Sequence, residues 1–367
     1  MTRSRQIFVL VPVFVGLASA TCVCSRTNES SSGDPITEMS RNFTLDRDVA
    51  SVDLKEMTRA PHPLGSTRQA ELITWFVERA RAEGATPYRE EFTATVPNPA
   101  ASSDTGAAAL TLSLPGVNTW AAAGVASAPE CVVLMGSHYD TKIIPGIDYV
   151  GANDSGSSSI ALLQILRALR AESKKLPKLA CDIVMVWFDG EEAYLLEWSD
   201  GETKHPAQIQ DNTHGSRHAV ARFTACTFAE KKSLCLPADL PGIGGKPVAA
   251  LVLMDMIGSP GIQLARDSFS STHLLELALR GAEITGNSGI FEKTAKPIED
   301  DHIPFRRAGI AAINLIDFHN LDVWHRPGDE VNQIDFGSIE KASRIGLYVA
   351  LTIAANPQVF VTPAEKP

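Results

Sequence analysis

One feature most constrains the fold of this chain: six apolar or aromatic residues end abruptly in acidic ones. The run at 183–188 is followed by Asp189-Gly190 and then by two adjacent carboxylates, Glu191 and Glu192. A short apolar run closed by Asp-Gly predicts a buried parallel strand that ends at its carboxyl edge. In open α/β sheets, ligands bind at that edge. Taken alone, the glutamate pair is more typical of the start of a solvated helix, whose dipole favours acidic side chains.

Strands and helices alternate along the chain. The predicted buried strands are 132–135, 183–188, 249–254 and 310–316, and the predicted helices are 67–84, 157–171, 274–284 and 338–355. Helical spacing of apolar residues separates the second group from the first. This alternation predicts right-handed βαβ units and a three-layer α/β fold, with a mixed, mostly parallel central sheet flanked by helices.

The N-terminal residues have the pattern of an export signal. Basic residues precede an apolar run at 7–17, which is too short and too interrupted by Pro12 to be a good membrane span. We expect residues 1–20 to be a cleaved signal peptide and the mature protein to be periplasmic or secreted. Lipid modification of Cys22 is the alternative, although residues 19–21 match a lipobox poorly.

Composition bounds the rest of the organisation. Residues 21–40 are expected to be a flexible linker, because much of this stretch is Ser, Asn, Asp and Gly. Residues 41–360 are expected to form one catalytic domain, since 44% of the chain is hydrophobic, enough for a large core. The net charge of −10, with no long Lys/Arg cluster, argues against nucleic acid as a partner. We expect a monomer.

Four cysteines lie in the body of the chain, and an exported protein can oxidise them. Cys131 and Cys181 each stand just before a predicted strand, so they could face each other across neighbouring strands. Cys226 and Cys235 could close a short loop. Spacing alone does not fix connectivity, so the pairing stays open. The absence of a CxxC motif argues against a cysteine-based zinc site.

Acidic and imidazole side chains follow the ends of the predicted strands. They are His138, Asp154, Glu191, Glu192, Asp255 and His325. Each alone has a structural explanation, such as a hydrogen-bonded histidine or a helix cap at Asp154. Their coincidence at successive strand ends predicts a shared site at one sheet edge. Carboxylate and imidazole ligands without cysteine are the usual set for a catalytic zinc with an open position.

A second polar cluster, Asp300-Asp301-His302, lies before the last predicted strand. Three consecutive ionisable residues usually mark a solvated loop, but this loop could also reach the sheet edge. Trp198 and Trp324 would then give a metal site aromatic walls. Ordinary packing is the alternative explanation for either tryptophan.

The order of these motifs resembles the zinc-dependent exopeptidase superfamily of aminopeptidase-like α/β proteins. Within it, the motifs are most similar to those of the animal-type glutaminyl-peptide cyclotransferases, or glutaminyl cyclases. The similar stretches are 136–142, 150–155, 187–194, 198–199, 215–218, 253–258, 298–305 and 323–325. Stretches 298–305 and 323–325 discriminate best, because ordinary aminopeptidases of this fold usually carry other residues there.

The resemblance implies an enzyme that converts the N-terminal glutamine of peptides to pyroglutamate and releases ammonia. It implies one zinc held by Asp154, Glu192 and His325, with Glu191 as the proton shuttle. The residues expected beside these are Asp255 and Asp300 in a hydrogen-bond network, and Trp198, Trp324, His138 and His302 around the substrate pocket. The partners implied are peptide or protein N-termini that bear glutamine.

The chain departs from the animal enzymes at three places. Ser137 and Ser159 stand at the positions of a disulfide found near the site of the secreted enzymes. One residue is inserted between Glu192 and Trp198, and the polar stretch after Trp198 is longer. Residues 318–322 replace a Phe-Pro segment. These changes bear on the shape of the pocket and leave the three implied zinc ligands in place.

Two other functions fit part of the pattern. In a two-zinc aminopeptidase, His138 and Asp255 would join Asp154, Glu192 and His325 as ligands, and Glu191 would activate water. Every ligand needed for this is present. A catalytically silent binding module of the same fold would have lost a ligand or the shuttle glutamate, and none is lost.

Overall fold

The computed structural model describes residues 33–102, 106 and 109–360. The expected signal peptide, Cys22 and residues 21–32 of the expected linker lie outside this range. The helices are α1 (Pro35–Asn42), α2 (Arg47–Met57), α3 (Thr67–Ala82), α4 (Ser158–Glu172), α5 (Asp200–Thr203), α6 (His214–Arg222), α7 (Thr272–Ile284), α8 (His302–Arg307), α9 (Phe336–Ala355) and α10 (Pro357–Phe360). No helix in the described ranges is long and apolar enough to cross a membrane.

The strands form one central sheet and two small ones. They are β1 (Thr86–Pro97), β2 (Thr111–Ala122), β3 (Cys131–His138), β4 (Cys181–Phe188), β5 (Thr224–Phe228), β6 (Lys231–Cys235), β7 (Val248–Asp255), β8 (Leu264–Asp267), β9 (Phe291–Lys296) and β10 (Ala312–Ile316). The central sheet has the order β1-β2-β4-β3-β7-β10. Strands β4, β3, β7 and β10 run parallel, whereas β1 and β2 are antiparallel additions at one edge. The predicted mixed, mostly parallel sheet is confirmed.

Alternate residues of the central strands enter two separate cores, because successive side chains of a strand point to opposite faces. Val133 and Met135 of β3 pack into a core with α4, α9 and other helices. Val132 and Leu134 pack into a second core with residues of α6 and α8, among them Phe305. Every residue of β3, β4 and β7 is buried. The sheet is therefore sandwiched between helical layers, as the alternation of elements predicted.

The linker prediction is wrong for residues 35–40, which belong to helix α1. Asp34 caps this helix by accepting a hydrogen bond from the Thr37 backbone, and a proline occupies the first turn. Ile36 is buried, and Arg41 donates to the Ile284 carbonyl. The Ser- and Gly-rich composition of the preceding residues hid this short helix.

Both expected cysteine pairs are bonded in the structure. Cys131–Cys181 joins the first residues of the parallel neighbours β3 and β4, which are also register partners. Cys226–Cys235 joins the hairpin strands β5 and β6. The first bond lies at the amino ends of its strands, so it closes the edge of the sheet opposite the carboxyl ends.

Candidate active site

The carboxyl ends of the parallel strands bring the predicted site residues together. β3 ends at His138 and β7 ends at Asp255, while Glu191 and Glu192 follow β4. His325 lies in the loop after β10, where its φ of 52° is in the left-handed region. Parallel strands end at the same sheet edge, so residues far apart in sequence become neighbours.

The turn after β4 is fixed by one buried carboxylate. Asp140 accepts hydrogen bonds from the backbone N–H groups of Glu191 (3.0 Å) and Glu192 (3.2 Å). Gly190 has a φ of 67°, and a Cβ there would lie 3.1 Å from Leu64. Both glutamate side chains are buried, each residue being 6% exposed. The pair is therefore part of a rigid turn, and the alternative of a solvated helix start is wrong.

Asp154, Glu192 and His325 form a compact group of possible metal ligands. His325 Nε2 lies 3.0 Å from Glu192 Oε1 and 3.3 Å from Asp154 Oδ2. One donor atom from each of the three residues lies within 4.8 Å of the other two. The Trp324 ring stacks on the His325 imidazole at 4.3 Å between centroids, which fixes the orientation of the ring. Two carboxylates and one imidazole are a donor set typical of catalytic zinc.

A second group shares Asp154. His138 Nε2 lies 3.1 Å from Asp154 Oδ1 and 3.4 Å from Asp255 Oδ1. The three donor atoms again lie within 4.8 Å of one another. Asp154 thus directs one carboxylate oxygen toward each group. The geometry accommodates one metal ion in the first group, or one in each.

The electrostatics of the site fit a bound cation. Burial, with repulsion from Asp300 and Glu192, raises the pKa of Glu191 well above its usual value, although His138 opposes the shift. Burial and repulsion from Asp255 raise the pKa of Asp300 to about 7. Asp255 Oδ1 is buried and has no hydrogen-bond partner in the described part of the chain. Buried carboxylates of this kind require counter-charge, which a divalent cation supplies.

Two residues that sequence reasoning missed hold Asp154 in place. The Tyr149 hydroxyl lies 3.1 Å from Asp154 Oδ2 and 3.0 Å from Asp329 Oδ2, and its single proton can be donated to either oxygen. Asp329 also accepts from the backbone N–H groups of Asn153 and Asp154. Such outer contacts orient ligands and tune their basicity. Neither residue had a local signal, because Asp329 follows a Pro-Gly turn and Tyr149 looks like an ordinary core aromatic.

Hydroxyl groups occupy positions 137 and 159, where the resemblance to the animal enzymes implied a departure from a disulfide. Ser137 Oγ lies 3.3 Å from Ser159 Oγ and 2.9 Å from Ser158 Oγ. Ser159 also donates to the His138 carbonyl at 2.7 Å. A buried hydrogen-bond cluster therefore links the end of β3 to the start of α4 without a covalent clamp.

A cavity of about 520 Å³ opens onto the site. Its lining includes Asp154, Glu191, Glu192, Trp198, Asp255, Ile298, Glu299, Asp300, Phe318, Trp324 and His325. Trp198 donates from Nε1 to Glu299 at 3.0 Å, and Phe318 meets Trp324 edge-on at 5.5 Å between centroids. The two predicted tryptophan walls are thus present, and Phe318 of the altered segment adds a third aromatic wall.

His138 and His302, which were expected around the substrate pocket, are not among the residues that line this cavity. His138 is 1% exposed and lies beneath the floor, between Asp154 and Asp255. His302 is fully buried at the first turn of α8, with Nε2 3.0 Å from Asp267 Oδ2.

Comparison with known proteins agrees with this geometry. A curated glutaminyl-peptide cyclotransferase from Drosophila melanogaster is 27% identical over 236 residues, which are 59% of this chain and 59% of the relative. One from Bos taurus is 27% identical over 241 residues, 58% of this chain and 60% of the relative. The chain thus matches about three-fifths of the length of these relatives.

Solved structures share the fold. A glutaminyl cyclase from an Acidobacteriales bacterium has a TM-score of 0.61 at 24% identity, covering 88% of this chain and 96% of that one. A leucine aminopeptidase precursor from Bacteroides thetaiotaomicron has a TM-score of 0.63 at 18% identity, covering 84% and 98%. The aminopeptidase-like α/β fold is confirmed. The sequence profile of peptidase family M28 matches residues 118–350, so the chain belongs to that family.

Proposed function

We propose that this protein is a glutaminyl-peptide cyclotransferase, which converts the N-terminal glutamine of peptides to pyroglutamate with release of ammonia. One observation carries the proposal. A buried carboxyl group, Glu191, lines the same cavity as the ligand group of Asp154, Glu192 and His325, and Trp198 and Trp324 line it as well. The names of the curated relatives agree with this activity.

Asp154, Glu192 and His325 would hold a single zinc ion. Zinc bound there would act as a Lewis acid that polarises the γ-carboxamide of the substrate glutamine. The protein contributes the arrangement of ligands, and Tyr149 orients Asp154 while contacting Asp329 on its other side. With three protein ligands, a coordination position stays open for substrate.

Glu191 would move the proton that the reaction transfers. The substrate's own α-amine attacks the carbon of the carboxamide, forming a C–N bond and closing a five-membered ring. Glu191 accepts a proton from this nitrogen and returns it to the departing nitrogen, which leaves as ammonia. Burial, the largest cause, raises the pKa of Glu191, which makes its carboxylate a stronger acceptor for that proton.

Asp255 and Asp300 flank Glu191 in the cavity lining. We propose that they hold the substrate amine and tune Glu191, since repulsion from Asp300 contributes to its raised pKa. Asn314 donates to Asp300 at 2.7 Å, which fixes the Asp300 carboxylate. Trp198 and Trp324 enclose the glutamine side chain, so that amine and carboxamide are held close to the geometry of ring closure.

An aminopeptidase is the second candidate, favoured by one observation. His138, Asp154 and Asp255 form a second group with ligand spacing, so two zinc ions fit the donor set. Glu191 would then activate a water molecule for peptide hydrolysis. The leucine aminopeptidase precursor with the same fold keeps this candidate open.

We also propose that the mature protein acts outside the cytoplasm. Its two disulfides are of a kind that persists in oxidising compartments. The N-terminal pattern of basic and apolar residues supports the same location.

Mass spectrometry of a Gln-initiated peptide tests the function directly. We expect zinc-loaded protein to remove ammonia and leave the peptide otherwise intact. The same peptide with an acetylated N-terminus is the matched control and should not react, because its nitrogen is no longer a nucleophile. Release of the first residue, together with two zinc ions per chain, would establish the aminopeptidase instead.

A further inference from the structure

A buried polar network lies behind the cavity wall that bears Asp300. At its centre is Asp267, the last residue of β8, which is 1% exposed. Its Oδ1 accepts from the backbone of Phe269 (2.9 Å) and of Ile298 (3.1 Å). Its Oδ2 accepts from Ser270 Oγ (2.8 Å) and lies 3.0 Å from His302 Nε2. Asp267 is absent from the cavity lining, and nothing in the proposed chemistry uses it.

These contacts hold both ends of one short segment, residues 298–302. Ile298 begins it and His302 ends it, and between them Glu299 and Asp300 face the cavity. Ile298 and His302 are both bonded to or paired with the same carboxylate. Asp267 therefore limits how far the segment can shift relative to strand β8.

The same network also reaches Asp300 through strand β10. Ser270, held by Asp267, accepts from the Asn314 backbone at 2.9 Å. The Asn314 amide in turn donates to Asp300 Oδ2 at 2.7 Å. Asp267 thus acts on Asp300 by two routes, one through the segment and one through strand β10.

Burying Asp267 and His302 together costs free energy, which a purely structural element would not need to spend. His302 and Asp267 are almost completely buried. Burial opposes ionisation of Asp267, yet the His302 imidazole and the other donors outweigh it, so the pKa of Asp267 is below its usual value. Apolar residues can often replace buried charged groups without loss of stability. The Asp267 carboxylate accepts three hydrogen bonds and lies against the His302 imidazole. Because it also sets the position of a reactive carboxyl group, accurate positioning explains it better than stability does.

We propose that Asp267 is a positioning residue, which sets the location of Asp300 in the active site through the 298–302 segment and Asn314. The catalytic part of this inference rests on the proposed function. Asp267 touches no substrate and acts only through Asp300.

A double-mutant cycle tests this coupling. Asp267→Asn keeps the shape but weakens the pairing with His302, so we expect kcat to fall roughly 10- to 100-fold, the cost of a small misplacement. KM should change much less, and zinc content should not change. In the Asp300→Asn background, Asp267→Asn should have almost no further effect, since the group it positions is already gone. Independent, multiplying losses would overturn the proposal.

Asp182→Asn is the matched control. Asp182 is also a buried carboxylate that accepts from backbone N–H groups, those of Gly124, Val125 and Ile183. It lies at the start of β4, on the opposite edge of the sheet. The kcat of Asp182→Asn should match that of the native protein. If Asp267→Asn does not fold, His302→Gln removes the imidazole while leaving an amide donor and should show the same non-additivity.

Hydrogen exchange provides a readout that does not depend on activity. Backbone amides of the 298–305 stretch should exchange faster in Asp267→Asn than in the native protein, and Asp182→Asn should leave them unchanged. Unchanged exchange in Asp267→Asn would refute the positioning role, whatever reaction the enzyme performs. Native protein that releases no ammonia from a Gln-peptide would refute the proposed function, and the exchange result would still decide whether Asp267 holds the segment.

Discussion

Glu191 and Glu192 are adjacent in the chain but lie in different surroundings. Glu192 Oε1 contacts the His325 imidazole at 3.0 Å, in the group that would hold a metal ion. The nearest ion-pair contact of Glu191 is His138, at 3.9 Å. The rigid turn on Asp140 directs the two side chains to separate tasks. The division of roles therefore belongs to individual residues and can be tested one at a time.

Glu191→Gln should abolish most cyclisation while the metal remains bound. The substitution preserves size but removes the group that accepts the proton, so kcat should fall roughly 10²- to 10⁴-fold. Ammonia release measures the loss of cyclisation, and zinc content of the same preparation measures whether the metal remains bound. Near-normal turnover would show that Glu191 is not the proton shuttle.

Two histidine variants should separate one metal ion from two. With a single zinc in the group of Asp154, Glu192 and His325, His325→Ala should lower zinc occupancy and His138→Asn should leave it near one per chain. Metal analysis of purified protein measures this. A native content near two, reduced by one in either variant, would support the aminopeptidase.

Sequence predicted the ligand residues because each follows an apolar strand, and parallel strands end at a common edge. It could not predict Tyr149 and Asp329, whose contacts join positions more than a hundred residues apart and follow no periodic pattern. The direction in which the His138 and His302 side chains point could not be predicted either, because it depends on the packing around each residue.

At the scale of elements, β3 and β4 form the base of the site, because His138 ends one and Glu191 and Glu192 follow the other. Their amino ends are joined by Cys131–Cys181, which spans 50 residues of sequence. That span contains His138 and Asp154. The disulfide therefore constrains the part of the chain that carries two of the five candidate ligands.

Removing Cys131–Cys181 should cost more stability than removing Cys226–Cys235. The chain-entropy relation gives about 4 kcal/mol for the 50-residue span and about 3 kcal/mol for the 9-residue hairpin loop. Paired alanine variants of each bond, compared by denaturant unfolding, provide the measurement. Equal losses would indicate that strain or residual structure in the unfolded chain dominates.

The long elements were predicted well because their apolar periodicity is strong. Helices expected at 67–84 and 338–355 are found at Thr67–Ala82 and Phe336–Ala355. The missed elements are short or polar. Strand β9 is mostly exposed, and β8 has four residues. Yet β8 ends at Asp267, so a strand too short to predict carries the residue that we propose positions Asp300.

At the scale of the whole molecule, acidic residues shape the response to pH. Burial, with repulsion between carboxylates, raises the pKa of Asp189 to about 8 and the pKa of Asp329 to about 7. His325 is raised to about 10, because attraction to Glu192 and Asp154 outweighs its burial. In each case the folded state holds a proton that the unfolded state has released. Stability from these groups is complete at low pH and is lost as pH rises through the folded pKa.

Metal-free protein should therefore melt at a lower temperature at pH 8.5 than at pH 6.5. Each excess proton on the folded state lowers the unfolding free energy by about 1.4 kcal/mol per pH unit in this window. The buried His62 and His214, whose pKa values burial lowers to about 4, oppose this trend near pH 6.5, where the unfolded state still binds part of a proton at each. Their effect fades above about pH 7.5, and we expect the three groups with raised pKa values to outweigh it. Calorimetry in the presence of a chelator measures the melting temperature at each pH. Bound zinc should make the melting temperature depend less on pH, because the metal replaces protons as the counter-charge of the carboxylates. A melting temperature that rose between these pH values would contradict the assignment.

Asp154 offers one oxygen to each of two ligand groups, and this sharing has a consequence for how such enzymes diverge. A scaffold with both groups can serve ring closure or peptide hydrolysis without moving a ligand. We infer that the cavity walls then select between the two reactions, by controlling whether water or the substrate's own amine reaches the reacting carbon. Trp198, Phe318 and Trp324 form those walls on loops outside the sheet, where sequence can change at little cost to the fold. A new reaction can therefore arise in this architecture by rebuilding loops around an unchanged set of ligands.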